Sequence, residues 1–149
     1  MEIMVKIEEL LKMKGEWVGT GVMTVGDQEG PITEYLKLEG TDIDSCLSYI
    51  RKSRIDFPGR PLLHNELGYM QTDEVQLLLS GGSYVILPWN KRSLSYEQSA
   101  GSPDSKDMVR MVTFPSAKEM VWDNKMLVNH GGHWVPHTAV TRFISITKA

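Results

Sequence analysis

His64 and Glu66 are the two residues of this chain whose types and spacing best suit chemistry. Side chains two residues apart on a β-strand point to the same face, so an imidazole and a carboxylate would lie side by side here. Such a pair can move a proton or orient a bound ligand. We therefore predict a polar anchor in a pocket, the alternative being a structural hydrogen bond between the two groups.

A second group of histidines lies near the C-terminus, where His130, His133 and His137 follow the spacing H-x-x-H-x-x-x-H. On a helix this spacing would suggest metal ligands, but Gly131 and Gly132 predict a hairpin turn. We expect His130 and His133 at a solvated turn and His137 on the last strand, within reach of a cavity mouth. The pattern therefore predicts no metal site formed by these three side chains.

The other reactive groups indicate no further site. Cys46 is the only cysteine, which excludes an internal disulfide and a thiolate zinc cluster and favours a small buried hydrophobe. The chain has no phosphate-binding glycine loop and no G-x-S-x-G elbow. Among the scattered acids, Glu34 and Glu66 are the ones expected to face inward. An enzyme is not favoured, and an isomerase with His64 and Glu66 as its acid–base pair remains an alternative.

Composition favours one soluble globular domain spanning residues 1–149. With 41% hydrophobic and 23% charged residues the chain can form a core, which excludes extended disorder. A net charge of −3 without a basic stripe argues against nucleic acid as a partner. No apolar run approaches the roughly 20 residues that cross a bilayer, so no membrane partner is expected. The N-terminal residues do not read as a signal peptide, and we expect a cytoplasmic protein.

The elements that must position these groups are nearly all strands. Helical periodicity is confined to residues 3–13. Short β-rich runs separated by Gly, Pro, Asp and Asn then predict strands at 15–25, 31–39, 45–55, 62–72, 74–80, 83–88, 91–99, 107–115, 118–129 and 137–147. A meander of this length closes to remove its edges. The predicted fold is all-β: a closed antiparallel meander barrel of about ten strands with a short N-terminal helix, wide enough for one small ligand.

Residues 15–21 (GEWVGTG) are the most distinctive run for such a barrel. Gly19 and Gly21 share a strand face with Trp17, and their missing side chains let the strand bend or a neighbour come close. The buried indole would need a hydrogen-bond acceptor for its N–H group. We therefore predict that Trp17, Gly19 and Gly21 are structural residues at the base of the barrel.

A Gly-x-Trp opening after a short helix resembles the lipocalin and fatty-acid-binding barrels. The longer run, with residues 31–35 (PITEY) and 61–70 (PLLHNELGYM), resembles the nitrobindin family of haem-binding β-barrels over most of the chain. The resemblance implies a calycin-type barrel in which Trp17 plugs the base and Arg142 caps the indole by a cation–π contact. It also implies that His64 faces the cavity and, by family analogy, that the protein forms a homodimer.

The last strand departs from both families. Residues 141–147 (TRFISIT) match the nitrobindin segment that carries two histidines, and Phe143 and Ser145 stand at those positions. A serine hydroxyl is a poor ligand for haem iron, so neither the family's haem site nor its peroxynitrite isomerisation is expected. The fatty-acid clasp Thr-Arg-x-Tyr likewise lacks its tyrosine at Ile144. Haem bound through His64 or His137 is kept as an alternative.

Methionines supply the last clue to the contents of the barrel, since the chain has nine. These flexible, polarisable side chains can line a pocket for an apolar ligand, although they also fill ordinary cores. The predicted cavity residues are His64, Glu66, Met70, Met23, Met111, Phe143, Ser145 and His137. Without the strand register, the faces of Tyr49, Tyr84 and Arg110 stay unassigned. We expect a non-catalytic binder of a small hydrophobic ligand, and a filled barrel acting as a scaffold is a further alternative.

Overall fold

The computed structural model describes residues 5–79, 84–99 and 102–147. Within these ranges, one helix precedes ten strands. The elements are α1 (Ile7–Lys12), β1 (Gly15–Val25), β2 (Gln28–Gly40), β3 (Cys46–Phe57), β4 (Arg60–Gln71), β5 (Glu74–Leu79), β6 (Tyr84–Asn90), β7 (Ser93–Ser99), β8 (Ser102–Ser116), β9 (Glu119–His130) and β10 (His133–Ser145).

The ten strands form one closed antiparallel barrel. Each strand pairs with its neighbours in sequence, and β10 pairs with β1 to complete the ring. Closure gives every described strand a partner on each side, although β6 and β7 pair only through Trp89–Leu94 and Asn90–Ser93. The predicted fold class is therefore confirmed. The last strand begins earlier than predicted because the two-residue turn at Gly131 and Gly132 lets the ladder start at the His130–His133 pair.

The helix is shorter than the periodicity predicted. Lys6 is extended, with φ −68° and ψ 148°, and the Val5 N–H group donates to the Thr72 carbonyl at 2.9 Å. The chain before α1 is thus held against the end of β4, while predicted helix positions 3 and 4 lie outside the described residues. In the described part of the chain no helix is long and apolar enough to cross a membrane.

One half of the barrel interior is a packed apolar core, and α1 covers its end. Leu10 and Met13 of the helix region are fully buried in the same cluster as Trp17, Trp122 and Phe143. Rings of this cluster meet edge to face, with centroids 5.5 Å apart for Trp122 and Phe143. This half of the barrel is therefore a packed core, and it is called the closed end below.

Trp17 ties the helix to the barrel wall. Its Nε1–H group donates to the Met13 carbonyl at 2.9 Å inside the core. Arg142 does not cap the indole, because it lies between the inward Thr141 and Phe143 on β10 and points outward. The Arg142 side chain is 59% exposed and pairs with Glu119 at 3.4 Å. The predicted cation–π cap is therefore wrong, whereas the indole does find its hydrogen-bond acceptor.

The glycines of β1 allow the first and last strands to approach closely. A Cβ placed on Gly19 would lie 2.6 Å from Thr141 Cγ2 and 2.7 Å from Phe143 Cδ1. A Cβ on Gly21 would collide with the Val140 carbonyl oxygen. Both positions thus need glycine for space where the barrel closes.

We expect Gly19→Ala to lower the free energy of unfolding by about 1–3 kcal/mol, because the new methyl group overpacks the closing strand pair. Urea denaturation would measure this loss. The control is Gly40→Ala, whose Cβ would meet only the flexible end of Lys14, at 3.4 Å. Equal stability of the two variants would contradict the packing role of Gly19.

Candidate functional site: a cavity above a charged cluster

The half of the barrel opposite α1 holds an internal cavity of about 270 Å³. Its wall is built by β1 to β4 and β8 to β10. The apolar lining includes Met23, Ile55, Leu62, Met126 and Ala139. A second, outer cavity of about 490 Å³ lies at the strand turns and shares Met23, Leu62 and His137 with the inner one. The inner cavity therefore continues toward the open end of the barrel.

Polar residues form the floor of the inner cavity, above the packed core. Three successive inward residues of β9 show this order. Trp122 lies in the packed core, the polar residue Asn124 lies at the cavity floor, and the apolar residue Met126 lies in the cavity wall. The guanidinium groups of Arg51 and Arg110 lie over the Trp122 ring, 5.1 and 4.8 Å from its centroid. The order along the barrel axis is thus packed core, charged layer, apolar wall and mouth.

Glu66 is the centre of the charged layer. Arg110 donates to both of its oxygens, with Nη2 at 3.0 Å from Oε1 and Nη1 at 3.2 Å from Oε2. Arg51 Nη1 lies 3.3 Å from Oε1, and the Tyr49 hydroxyl donates to Oε2 at 2.5 Å. The His64 ring reaches Oε1 through Nε2 at 3.3 Å. Both oxygens of this buried carboxylate are therefore fully used.

These contacts set the protonation of Glu66 and Tyr49. Burial by itself raises the pKa of Glu66, but Arg110 and Arg51 outweigh it and hold that pKa well below its usual range. Burial and the charge of Glu66 raise the pKa of Tyr49, so its hydroxyl stays protonated and donates. Glu66 is accordingly a fixed anion that orients His64, and it is poorly suited to exchange protons with a substrate.

Glu34 is the second buried carboxylate, and its contacts are one-sided. Arg51 reaches Oε1 through Nη2 at 2.7 Å and Nε at 2.9 Å, and the Ser53 hydroxyl donates to the same oxygen at 2.6 Å. The other oxygen, Oε2, is buried without a hydrogen-bond partner among the described residues. Glu34 is one of the residues that line the inner cavity.

The charged layer is balanced and well supported. The formal charges of Arg51 and Arg110 match those of Glu34 and Glu66, and all four side chains are at most 5% exposed. Arg110 is held further by Asn124, whose Oδ1 accepts from Nε at 2.6 Å. A network of this kind fixes the position of each member and presents a rigid polar surface.

Four of the predicted cavity residues line the inner cavity: Met23, His64, Glu66 and His137. His137 also lines the outer cavity, which places it at the mouth. Burial lowers the pKa of His137, and the nearby charges of His64 and His130 lower it further. Glu34 and Glu66 were both expected to face inward, and both side chains are buried in the barrel.

The other four predicted residues lie away from the cavity. Met70 and Phe143 are fully buried in the packed core. Ser145 pairs with Trp17 at the closed end, and its Oγ accepts from the Thr147 N–H group at 3.3 Å. Met111 is 47% exposed because its neighbours on β8 face inward, so the prediction that it lines the cavity is wrong.

Sequence reasoning missed Arg51, Ser53 and Asn124. On β3 the inward set is residues 49, 51, 53 and 55, and the outward set is 48, 50, 52 and 54. Each set contains an apolar residue and a basic one, so alternation alone does not identify the buried face. The structure turns Tyr49 and Arg110 inward and leaves Tyr84 exposed.

The inner cavity by itself is small for haem. Its volume of about 270 Å³ falls below the roughly 300–1,000 Å³ of pockets that enclose drug-sized ligands. Phe143 and Ser145, at the family's histidine positions, do not line this cavity. The suggestion that His64 or His137 is an axial ligand of haem iron stays a prediction. In the described part of the chain no three His, Cys, Asp or Glu side chains are grouped to hold a metal ion.

Comparison with solved structures identifies similar barrels. The S-type phycobiliprotein lyase CPES from Guillardia theta has a TM-score of 0.58 at 10% identity, covering 97% of this chain and 95% of that one. The protein EF1p2_mFAP2b bound to DFHBI has a TM-score of 0.49 at 12% identity, covering 91% and 96%. No family model and no curated protein matches the sequence. The likeness to the lyase supports the closed β-barrel fold, and membership of the nitrobindin family is not confirmed.

We expect Glu66→Gln to lower the free energy of unfolding by about 3–5 kcal/mol, because it leaves two buried arginines without their shared counter-ion. Chemical denaturation would measure the loss. The matched control is Glu39→Gln, which breaks the exposed ion pair with Lys37 and should cost less than about 1 kcal/mol. A loss below 1 kcal/mol for Glu66→Gln would contradict its central role.

Stability should also fall as pH decreases below about 6.5, the ordinary pKa of histidine. In that range the unfolded chain takes up a proton at His137 that the folded chain, with its lowered pKa, does not bind. His137→Gln should flatten this slope below about pH 6.5 in urea denaturation. An unaltered slope in His137→Gln would refute the assignment.

Proposed function

We propose that this barrel is a non-catalytic carrier or sensor of one small amphipathic molecule. The polar end of the ligand rests on the charged layer, and its apolar part lies along Met23, Ile55, Met126 and Ala139. The single observation that carries the proposal is the change of lining along the barrel axis. A solid core gives way to a polar floor and then to an open apolar wall.

The energetics of the charged layer support this function. Burying ionised side chains is expensive, and well-packed apolar residues in their place are often as stable or more so. Four buried charges beneath a cavity therefore need another explanation than stability. A rigid polar surface at the end of an apolar pocket is the arrangement that orients a small ligand.

The dimensions favour a small ligand. At ~30 Å³ for each water in the liquid, the inner cavity of about 270 Å³ has the volume of about nine waters. A ligand with about nine non-hydrogen atoms in its chain would fill this volume. A longer ligand would extend into the outer cavity beside His137. An unbranched or singly ringed molecule suits this shape better than a macrocycle does.

The isomerase alternative is less favoured. Its acid–base pair required Glu66 to exchange protons, and the two arginines keep that carboxylate ionised and fully hydrogen-bonded. A filled barrel acting as a scaffold is also less favoured, because the half of the interior near the mouth is open.

Filling the cavity should abolish binding. Ala139 is buried in the wall, so Ala139→Leu directs three further carbon atoms into the cavity. We expect at least an about tenfold weaker affinity for the unbranched probe nonan-1-ol, equivalent to about 1.4 kcal/mol. Calorimetric titration measures the affinity, and thermal unfolding checks that the variant is folded.

The matched control is the next residue on the same strand. Val140 points outward and is 44% exposed, so Val140→Leu adds bulk outside the barrel and should bind the probe like the wild type. An unchanged affinity in Ala139→Leu, or an equal loss in both variants, would refute binding inside the barrel. If the two variants behave as expected, native mass spectrometry of protein purified from its own cell would identify the retained molecule.

A further inference from the structure

The outer cavity differs from the inner one in the charge of its polar lining. Among the described residues that line it, the polar ones are Arg60, His130, His137 and Gln28, and none is an aspartate or a glutamate. Arg60 supplies a permanent positive charge, and the two imidazoles and the amide can each donate a hydrogen bond. This lining suits an anion and offers no carboxylate to a cation.

Strand alternation places these side chains over the mouth. On β4 the inward residue His64 is preceded, two residues apart each time, by Leu62 and Arg60. On β9 the inward series that contains Met126 ends at His130. Arg60 is the first residue of β4 and His130 is the last of β9. Both side chains therefore extend the inward faces of their strands to the rim of the barrel.

Arg60 forms no ion pair with any residue that the structure describes. The acids nearest to it along the chain or at the neighbouring turn face other directions. Asp56 points outward on β3 and pairs with Arg54 at 2.9 Å. Glu29 and Asp27 are exposed and do not line the cavity. Because the whole chain has a net charge of −3, this positive mouth is a local feature and not the result of a basic protein.

The floor of the inner cavity, by contrast, offers no unpaired cation. Arg51 pairs with Glu34 and Glu66, and Arg110 pairs with Glu66. An acidic group placed there would add a buried negative charge to a layer that is already balanced, which is costly. At the exposed rim an acidic group keeps part of its hydration and gains Arg60 as a counter-ion. The mouth is therefore the favourable position for an anion.

His137 connects the two cavities and favours the same kind of group. It lines both of them, and its ring forms no hydrogen bond with the described residues. Burial lowers the pKa of His137, and the charges of His64 and His130 lower it further. The surroundings of this ring thus disfavour another positive charge. An anion in the outer cavity would reduce that repulsion, whereas a cation would increase it.

We infer that the ligand has an anionic outer end, a carboxylate or another acidic group, which lies in the outer cavity against Arg60 with His130 and His137 as further donors. This inference rests on the proposed function and names the class of ligand. The molecule is polar at both ends. A neutral end rests on the charged layer, an apolar chain fills the inner cavity, and an acidic group faces the mouth.

The test compares three probes that share one hydroxyl-ended chain. At about pH 8 the outer end is anionic in 12-hydroxydodecanoate, neutral in dodecane-1,12-diol and cationic in 12-aminododecan-1-ol. Calorimetric titration of the wild-type protein should give about 5- to 20-fold tighter binding of the acid than of the diol, an effect limited by the water at the mouth. The amine should bind most weakly. Added sodium chloride should reduce the preference for the acid, because salt screens exposed charges.

A variant of Arg60 makes the test specific. Arg60→Gln removes the charge at the mouth and keeps a polar side chain, so the preference for the acid over the diol should fall to about twofold or less. The diol itself should bind as it does to the wild type. The matched control is Arg54→Gln, which removes the same charge from the outward face of β3 and should keep the wild-type preference. Thermal unfolding checks that both variants are folded.

The outcomes separate the two proposals. If none of the three probes binds the wild-type protein, the proposed function fails and this inference fails with it. If the diol or the amine binds as tightly as the acid, the barrel binds ligands but the preference for an anionic outer end is overturned. A preference that persists in Arg60→Gln, or that is lost equally in Arg54→Gln, would show that Arg60 does not hold the anion.

Discussion

The pairing of β1 with β10 is the constraint on which the rest of the molecule depends. It joins the two ends of a ten-strand meander and so creates an interior. The pairing is possible because Gly19 and Gly21 leave space for Thr141, Phe143 and the Val140 carbonyl. Without this closure the buried charges of distant strands would not meet, and the sheet would keep two unpaired edges.

The closed barrel has two different interior regions, an apolar core and a charged layer. Toward α1, the interior is occupied by large buried apolar side chains around Trp17 and Trp122. Above them the four-charge layer rests on the Trp122 ring, where two guanidinium groups lie over the aromatic face. The packed end therefore serves as a rigid support for the polar floor, and the cavity begins where the packing stops.

The two buried carboxylates have different numbers of hydrogen-bond partners. Glu66 is surrounded by donors from β3, β4 and β8 and acts as a structural centre. Glu34 is held through one oxygen, and the other is buried without a partner among the described residues. Two residues of the same type in the same layer thus differ in their surroundings because strands β3, β4 and β8 bring more donors to Glu66 than to Glu34. The fold likeness to a phycobiliprotein lyase is consistent with a barrel of this kind and does not bear on individual residues.

Local patterns in the amino-acid sequence were sufficient to predict ten strands in meander order, the short helix and the glycines beside Trp17. Turn residues and propensity act over a few neighbours, so these features need no tertiary information. The buried arginines and the orientations of Met111 and Arg142 were decided only by the folded barrel. Both faces of several strands carry charged and apolar residues, and only the register around the closed ring determines which face is buried.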